Sequence, residues 1–138
     1  MNKLKKIAKK HKRLLVFTAA LAAAFLAYAH WETYWVQIKR TEIRNDSLPA
    51  EFSGKKIVYI SDVHCGEYFS PQRLAGIVGQ INSLDPDIVL FGGDYVSRDG
   101  KSTDACFREY SKITASLGKY GVLGNTDVEA GKEKVLRS

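Results

Sequence analysis

Lys56-Ile57-Val58-Tyr59-Ile60-Ser61-Asp62-Val63-His64 opens with an unbroken apolar and aromatic run and closes on a carboxylate and an imidazole. A run of this kind, with no alternation, suits a strand covered on both faces, as strands of a parallel sheet are. The polar residues fall where such a strand gives way to a loop.

Working outward, a helix follows. Ser70 can cap it and Pro71 suits its first position. Leu74, Ile77, Val78, Ile81 and Leu84 recur at helical spacing until Pro86 stops them. Residues 87–91 (Asp-Ile-Val-Leu-Phe) read as a second buried strand. The spacing of Phe107, Tyr110, Ile113 and Leu117 predicts a helix over 103–117, ended by Gly118, and residues 120–123 read as a third strand. Upstream, residues 36–43 alternate imperfectly and predict a further strand, before a polar break over 44–54 with Pro49. Strand, helix, strand, helix, strand makes two βαβ units, hence an α/β fold with a parallel sheet. All its strands then end at one edge, where open α/β sheets bind ligands.

The three strands run into Asp62-Val63-His64, Gly92-Gly93-Asp94 and Gly124-Asn125-Thr126-Asp127. Asp62 and His64 could reach one ion. Asp94 follows two glycines, can approach closely and offers two oxygens. Asn125 would add a neutral amide oxygen. Oxygen and imidazole donors suit Mn, Fe, Zn or similar divalent ions.

Taken together and in this order, Ile60-Ser61-Asp62-Val63-His64, Gly92-Gly93-Asp94 and Gly124-Asn125-Thr126-Asp127 resemble the first three motifs of the calcineurin-like metallophosphoesterases. The resemblance covers nearly the whole chain, through Leu48-Pro49 and Phe52-Ser53-Gly54-Lys55-Lys56-Ile57-Val58. It is closest to a membrane-tethered bacterial branch that includes pyrophosphohydrolases of lipid A assembly. It implies the N-terminal half of a four-layer α/β-β-α sandwich and two divalent metal ions. Asp62 and His64 would hold the first ion, Asp94 would bridge both, and Asn125 would bind the second while touching the phosphate. The implied reaction is in-line hydrolysis of a phosphodiester or pyrophosphate.

The chain departs from that pattern twice. Thr126 stands where the family usually places a histidine thought to protonate the leaving group, and a threonine hydroxyl is too weakly acidic to replace it. The catalytic acid is therefore unassigned. The family also completes its metal shell with later histidines, one after a glycine and two in a Gly-His-x-His element. Here the histidines are His11, His30 and His64. The expectation is an interrupted or partial phosphoesterase, inactive or nearly so, whose missing elements would be encoded downstream of residue 138.

The chain has 138 residues, room for one domain, and a net charge of +6. Residues 1–13 hold seven Lys/Arg and no acid, leaving 14 Lys/Arg against 15 Asp/Glu elsewhere, so the body is not basic and nucleic acid is not the expected partner. Between Leu14 and Trp31 no residue is charged with His30 neutral, and Trp31, Tyr34 and Trp35 follow like an interfacial aromatic belt. Eighteen helical residues span roughly 27 Å, close to the thickness of a bilayer core. The organisation expected is a basic cytoplasmic leader (1–13), a transmembrane or signal-anchor segment (14–35) and a phosphoesterase-like body (36–138). The lysines place the N-terminus inside and the body outside a bacterial cell membrane. The alternatives are secretion after cleavage at Ala29, since Ala27-Tyr28-Ala29 has the small-x-small form, and a soluble helix. Cys65 and Cys106 have no metal-site spacing and read as small apolar residues that say nothing of compartment.

The reading is thus a membrane-anchored metallophosphoesterase portion, with membrane and a phosphoester or pyrophosphate substrate as partners. One rival is a non-catalytic, membrane-tethered α/β interaction module. Another is a nucleotide-binding or receiver-like domain, against which the lack of a glycine-rich phosphate loop after the first strand counts.

Overall fold

A computed structural model describes residues 2–138. Two units divide the chain at residues 43 and 44. The first contains helix α1 (Asn2–Glu32) and an irregular segment after it. Leu14, Phe17, Leu21, Phe25, Leu26 and Trp31 are each more than half exposed along α1. Its Lys9–Glu32 portion is long and apolar enough to cross a membrane. Residues 36–43, expected as a strand, form no regular element. All of them are exposed and none is paired into a sheet, and a single strand with no ladder partner has nothing to stabilise it as a strand.

The second unit contains a one-turn 3-10 helix (Ala50–Phe52), then β1 (Ile57–Ile60), α2 (Pro71–Ser83), β2 (Ile88–Phe91), α3 (Thr103–Tyr110), β3 (Gly118–Gly121) and α4 (Asn125–Arg137). The strands form a parallel sheet in the order β1-β2-β3, with Ile57 beside Ile88 and Ile88 beside Gly118. The α/β class and parallel sheet expected from the strand–helix alternation are both present.

The helices α2 and α3 pack together on one face of this sheet. Two crossovers of the same hand, advancing in the same direction, require that. Leu74, Val78 and Ile81 of α2 meet Val89 of β2 and Cys106 and Tyr110 of α3 in the core. The opposite face carries Ile57, Tyr59, Leu90 and Tyr120, all exposed. The apolar strand runs are therefore covered on one side only, where the sequence suggested two.

Boundaries differ for local reasons. Ser70 caps α2 as expected, its hydroxyl accepting from the Arg73 amide at 3.3 Å, with Pro71 in the first turn. The helix α3 stops at Tyr110, short of the predicted 117. Beyond it, Asn82 of α2 takes over the backbone pairing, donating to the Lys112 carbonyl (2.9 Å) and accepting from the Thr114 amide (3.0 Å). Ile113 still reaches the core, whereas Leu117 is exposed. Strand β3 begins at Gly118, two residues early, because Leu117 N–H already donates to the Asp87 carbonyl at 2.7 Å. The helix α4 was not anticipated. It bends at Gly131, whose φ of 116° lies outside the helical region.

Cys65 and Cys106 are joined by a disulfide, with Cα atoms 6.0 Å apart. Their burial agrees with the sequence reading, but their state does not. Lying 41 residues apart, they show no spacing that announces a bond. The fold brings the loop after β1 against α3.

Candidate metal centre

Pairing between β1 and β2 continues past the strand ends. Gly92 N–H donates to Ile60 O (2.9 Å), Asp62 N–H to Gly93 O (3.1 Å), His64 N–H to Asp94 O (2.9 Å) and Cys65 N–H to Tyr95 O (2.9 Å). This zipped loop pair sets Asp62 and His64 alongside Asp94. One ligating atom from each lies within 4.8 Å of the others, and His64 Nε2 is 3.7 Å from Asp94 Oδ2. The His64 side chain is 43 % exposed and that of Asp94 14 %, so the cluster opens to solvent on the imidazole side. The Ser61 hydroxyl donates to Asp62 Oδ2.

Asp62, His64 and Asp94 share a further property. Their φ angles are 57°, 48° and 55°, and among the described residues only Asp85 joins them as a non-glycine in the left-handed region. Such backbone costs on the order of 1–3 kcal/mol per residue and persists only where surrounding structure imposes it. Here the imposing structure is the ladder of loop hydrogen bonds, and the result turns three ligand-type side chains toward one another.

The third motif closes on this cluster from β3. Gly93, at φ 91°, meets Gly124 backbone to backbone: a Cβ on Gly93 would lie 2.5 Å from the Gly124 nitrogen. A Cβ on Gly124 would collide with the Asp94 carboxylate. Asn125 opens α4 directly after that contact and is exposed, so it borders the cluster by its backbone position. Thr126 N–H donates to Asp94 Oδ1 at 3.1 Å, and Thr126 Oγ1 lies 3.4 Å from His64 Nδ1.

Sequence reasoning gave Asp127 no role, yet it organises the site. Its fully buried carboxylate accepts from the amides of Asp94 (2.8 Å), Val96 (3.2 Å) and Gly124 (2.9 Å). It thereby caps α4 and ties the β2 loop to the β3 loop. The available signal was an acid three residues after a candidate N-cap, Gly124. Nearby, Tyr110 donates to the Tyr95 carbonyl at 3.1 Å. Burial first, and the Asp127 charge second, push both phenols up.

Two carboxylates and an imidazole converging within this distance, at the edge of a parallel sheet, fit a divalent ion of the Mn, Fe or Zn type. Comparison with known proteins agrees. The model of the calcineurin-like phosphoesterase family matches residues 55–137, and the chain belongs to that family. It is 29% identical over 116 residues to an uncharacterized metallophosphoesterase of Aquifex aeolicus, covering 84% of this chain and 44% of that one. It is 30% identical over 113 residues to a transmembrane protein with metallophosphoesterase domain of Danio rerio, covering 82% and 25%. It is 33% identical over 117 residues to the UDP-2,3-diacylglucosamine pyrophosphatase LpxG of Chlamydia trachomatis, covering 80% and 35%. The chain thus spans less than half the length of these relatives. No solved structure matches it.

Proposed function

We propose that this chain carries the ligand-bearing strand edge of a membrane-anchored, metal-dependent phosphoesterase that hydrolyses a phosphodiester or pyrophosphate bond. The observation that carries the reading is the convergence of Asp62, His64 and Asp94. Asp62 and His64 hold one ion, Asp94 is shared between two, and Asn125 offers a neutral oxygen to the second and to the phosphate. When bound, such ions supply an activated nucleophile and positive charge for the departing oxygen. A lipid-linked pyrophosphate is the substrate class that LpxG brings into view, and a body held beside a bilayer suits it.

For organisation we propose the leader 1–13 inside, the segment 14–35 in the membrane and the body 36–138 outside. The continuous α1 supports this, as do the ring contacts Trp31–Trp35 and His30–Tyr34, both at 5.3 Å, at the end of its apolar stretch. The Cys65–Cys106 disulfide supports it too, since such bonds persist in oxidising compartments.

His64 is the only histidine outside α1. Two ions sharing Asp62, His64, Asp94 and Asn125 receive about two or three protein ligands each, few for cations that repel each other at about 3.5–4 Å. The 138-residue chain should therefore bind manganese through Asp94, with binding lost in Asp94→Ala, yet hydrolyse an activated phosphodiester near background. Robust turnover abolished by Asp94→Ala would mean these four ligands suffice. Absence of metal binding would favour the tethered, non-catalytic module instead.

A further inference from the structure

We propose that Thr126 is the positioning residue of this centre: its amide and hydroxyl together turn Asp94 Oδ2 and His64 Nε2 toward a divalent cation. The inference rests on the metal-centre reading above. Thr126 is only 4% exposed, so its hydroxyl is directed into the protein rather than toward an incoming phosphate. Its backbone N–H takes one lone pair of Asp94 Oδ1, which fixes the carboxylate and leaves Oδ2 as its less encumbered oxygen for an ion. Its Oγ1 faces His64 Nδ1 at 3.4 Å. A neutral imidazole carries one proton, and a proton held on Nδ1 by the threonine oxygen leaves the Nε2 lone pair free to ligate.

The two atoms so released are the pair that stand 3.7 Å apart. Ligand atoms about 2.0–2.2 Å from one ion stand roughly 3–3.5 Å from each other, so the pair needs to close by only a few tenths of an ångström. Thr126 cannot drift from this place. Its neighbour Asp127 is pinned by three backbone amides, two of them from the loop after β2 that presents Asp94. The residue at the position where a leaving-group acid was sought therefore acts through His64 and Asp94, not on substrate.

Two measurements on the full chain in detergent test this. In metal-free protein at about pH 8, above the ordinary imidazole range, 15N correlation spectra should show His64 protonated on Nδ1 in the wild type and in Thr126→Ser. Thr126→Val, which keeps the shape and removes the hydroxyl, should shift the proton to Nε2. In cobalt(II) titrations followed by visible absorption, Thr126→Val should weaken binding roughly 10–100-fold, the range for outer-shell partners of ligating histidines. Thr126→Ser should restore it to within a few-fold. Thr126→Ala carries the same expectations should the valine variant not fold. An unchanged tautomer with wild-type cobalt affinity in Thr126→Val or Thr126→Ala overturns the proposal. If the wild type binds no cobalt, the metal-centre reading fails, and the tautomer comparison alone decides whether Thr126 sets the imidazole.

Discussion

At Asp127 a single buried carboxylate answers three backbone donors from two different loops. Hydrogen bonds to a charged group contribute about 1.5–3 kcal/mol each, and buried donors left without a partner add their own desolvation cost. Asp127→Ala should therefore lower unfolding free energy by at least about 3 kcal/mol, measured by denaturant titration. It should also lower manganese affinity, because the Asp94 turn loses its tether. A loss of stability below about 1 kcal/mol would show that water replaces the carboxylate. At this scale the sequence was half legible. Asp62, His64 and Asp94 announce themselves because carboxylates and imidazoles at strand ends are unusual places to put charge. Thr126 and Asp127 do not, because their roles depend on which amides and ring nitrogens the fold sets opposite them.

The strand elements are clasped at the end away from the site. Asp87, just before β2, accepts from the Lys56 amide (2.9 Å), the Lys55 ammonium (3.1 Å) and the Ser116 hydroxyl (3.0 Å), joining the segments that enter all three strands. The Lys56 amide first, then Lys55 and Ser116, hold its carboxyl at about 2 against an ordinary 3.8. A depressed pKa means that the clasp contributes fully above pH 3.8 and is lost as pH falls through about 2. Urea unfolding across that window should show stability falling with acid, and Asp87→Asn should flatten this part of the profile. The helix α3 and the loop behind His64 are joined by the disulfide instead. Closing 41 residues of separation contributes roughly 4 kcal/mol on chain-entropy grounds. The Cys65→Ala/Cys106→Ala pair should lose about 2–4 kcal/mol in denaturant unfolding, and unchanged stability would remove the bond from the account. Helix α2 was readable because its cap, its proline and its apolar stripe are local signals. The true end of α3 was not, since Asn82 sits some thirty residues upstream of the carbonyl and amide it captures.

For the whole molecule, seven positive charges before the apolar segment, against Lys39, Arg40 and Arg44 soon after it, are the basis of the proposed orientation. A reporter active only outside the cytoplasm, fused after Ser138, should give signal. A fusion active only in the cytoplasm would reverse the assignment. Mass analysis of the purified chain should find residues 1–29 still attached if the segment is an anchor, and their loss would establish cleavage at Ala29.

By itself the sequence determined the α/β alternation, the parallel sheet, the apolar segment, the family and the three residues that cluster at the strand ends. Each is written in periodicity, composition or short motifs, which a chain carries before it folds. Tertiary structure decided the one-sided cover of the sheet, the Cys65–Cys106 bond, the early end of α3, and the pinning of Asp94 and His64 by Thr126 and Asp127. Those depend on contacts between residues about 30 to 60 positions apart. No local pattern specifies such a contact, because its energy exists only once the strands have paired and brought both partners to the same edge.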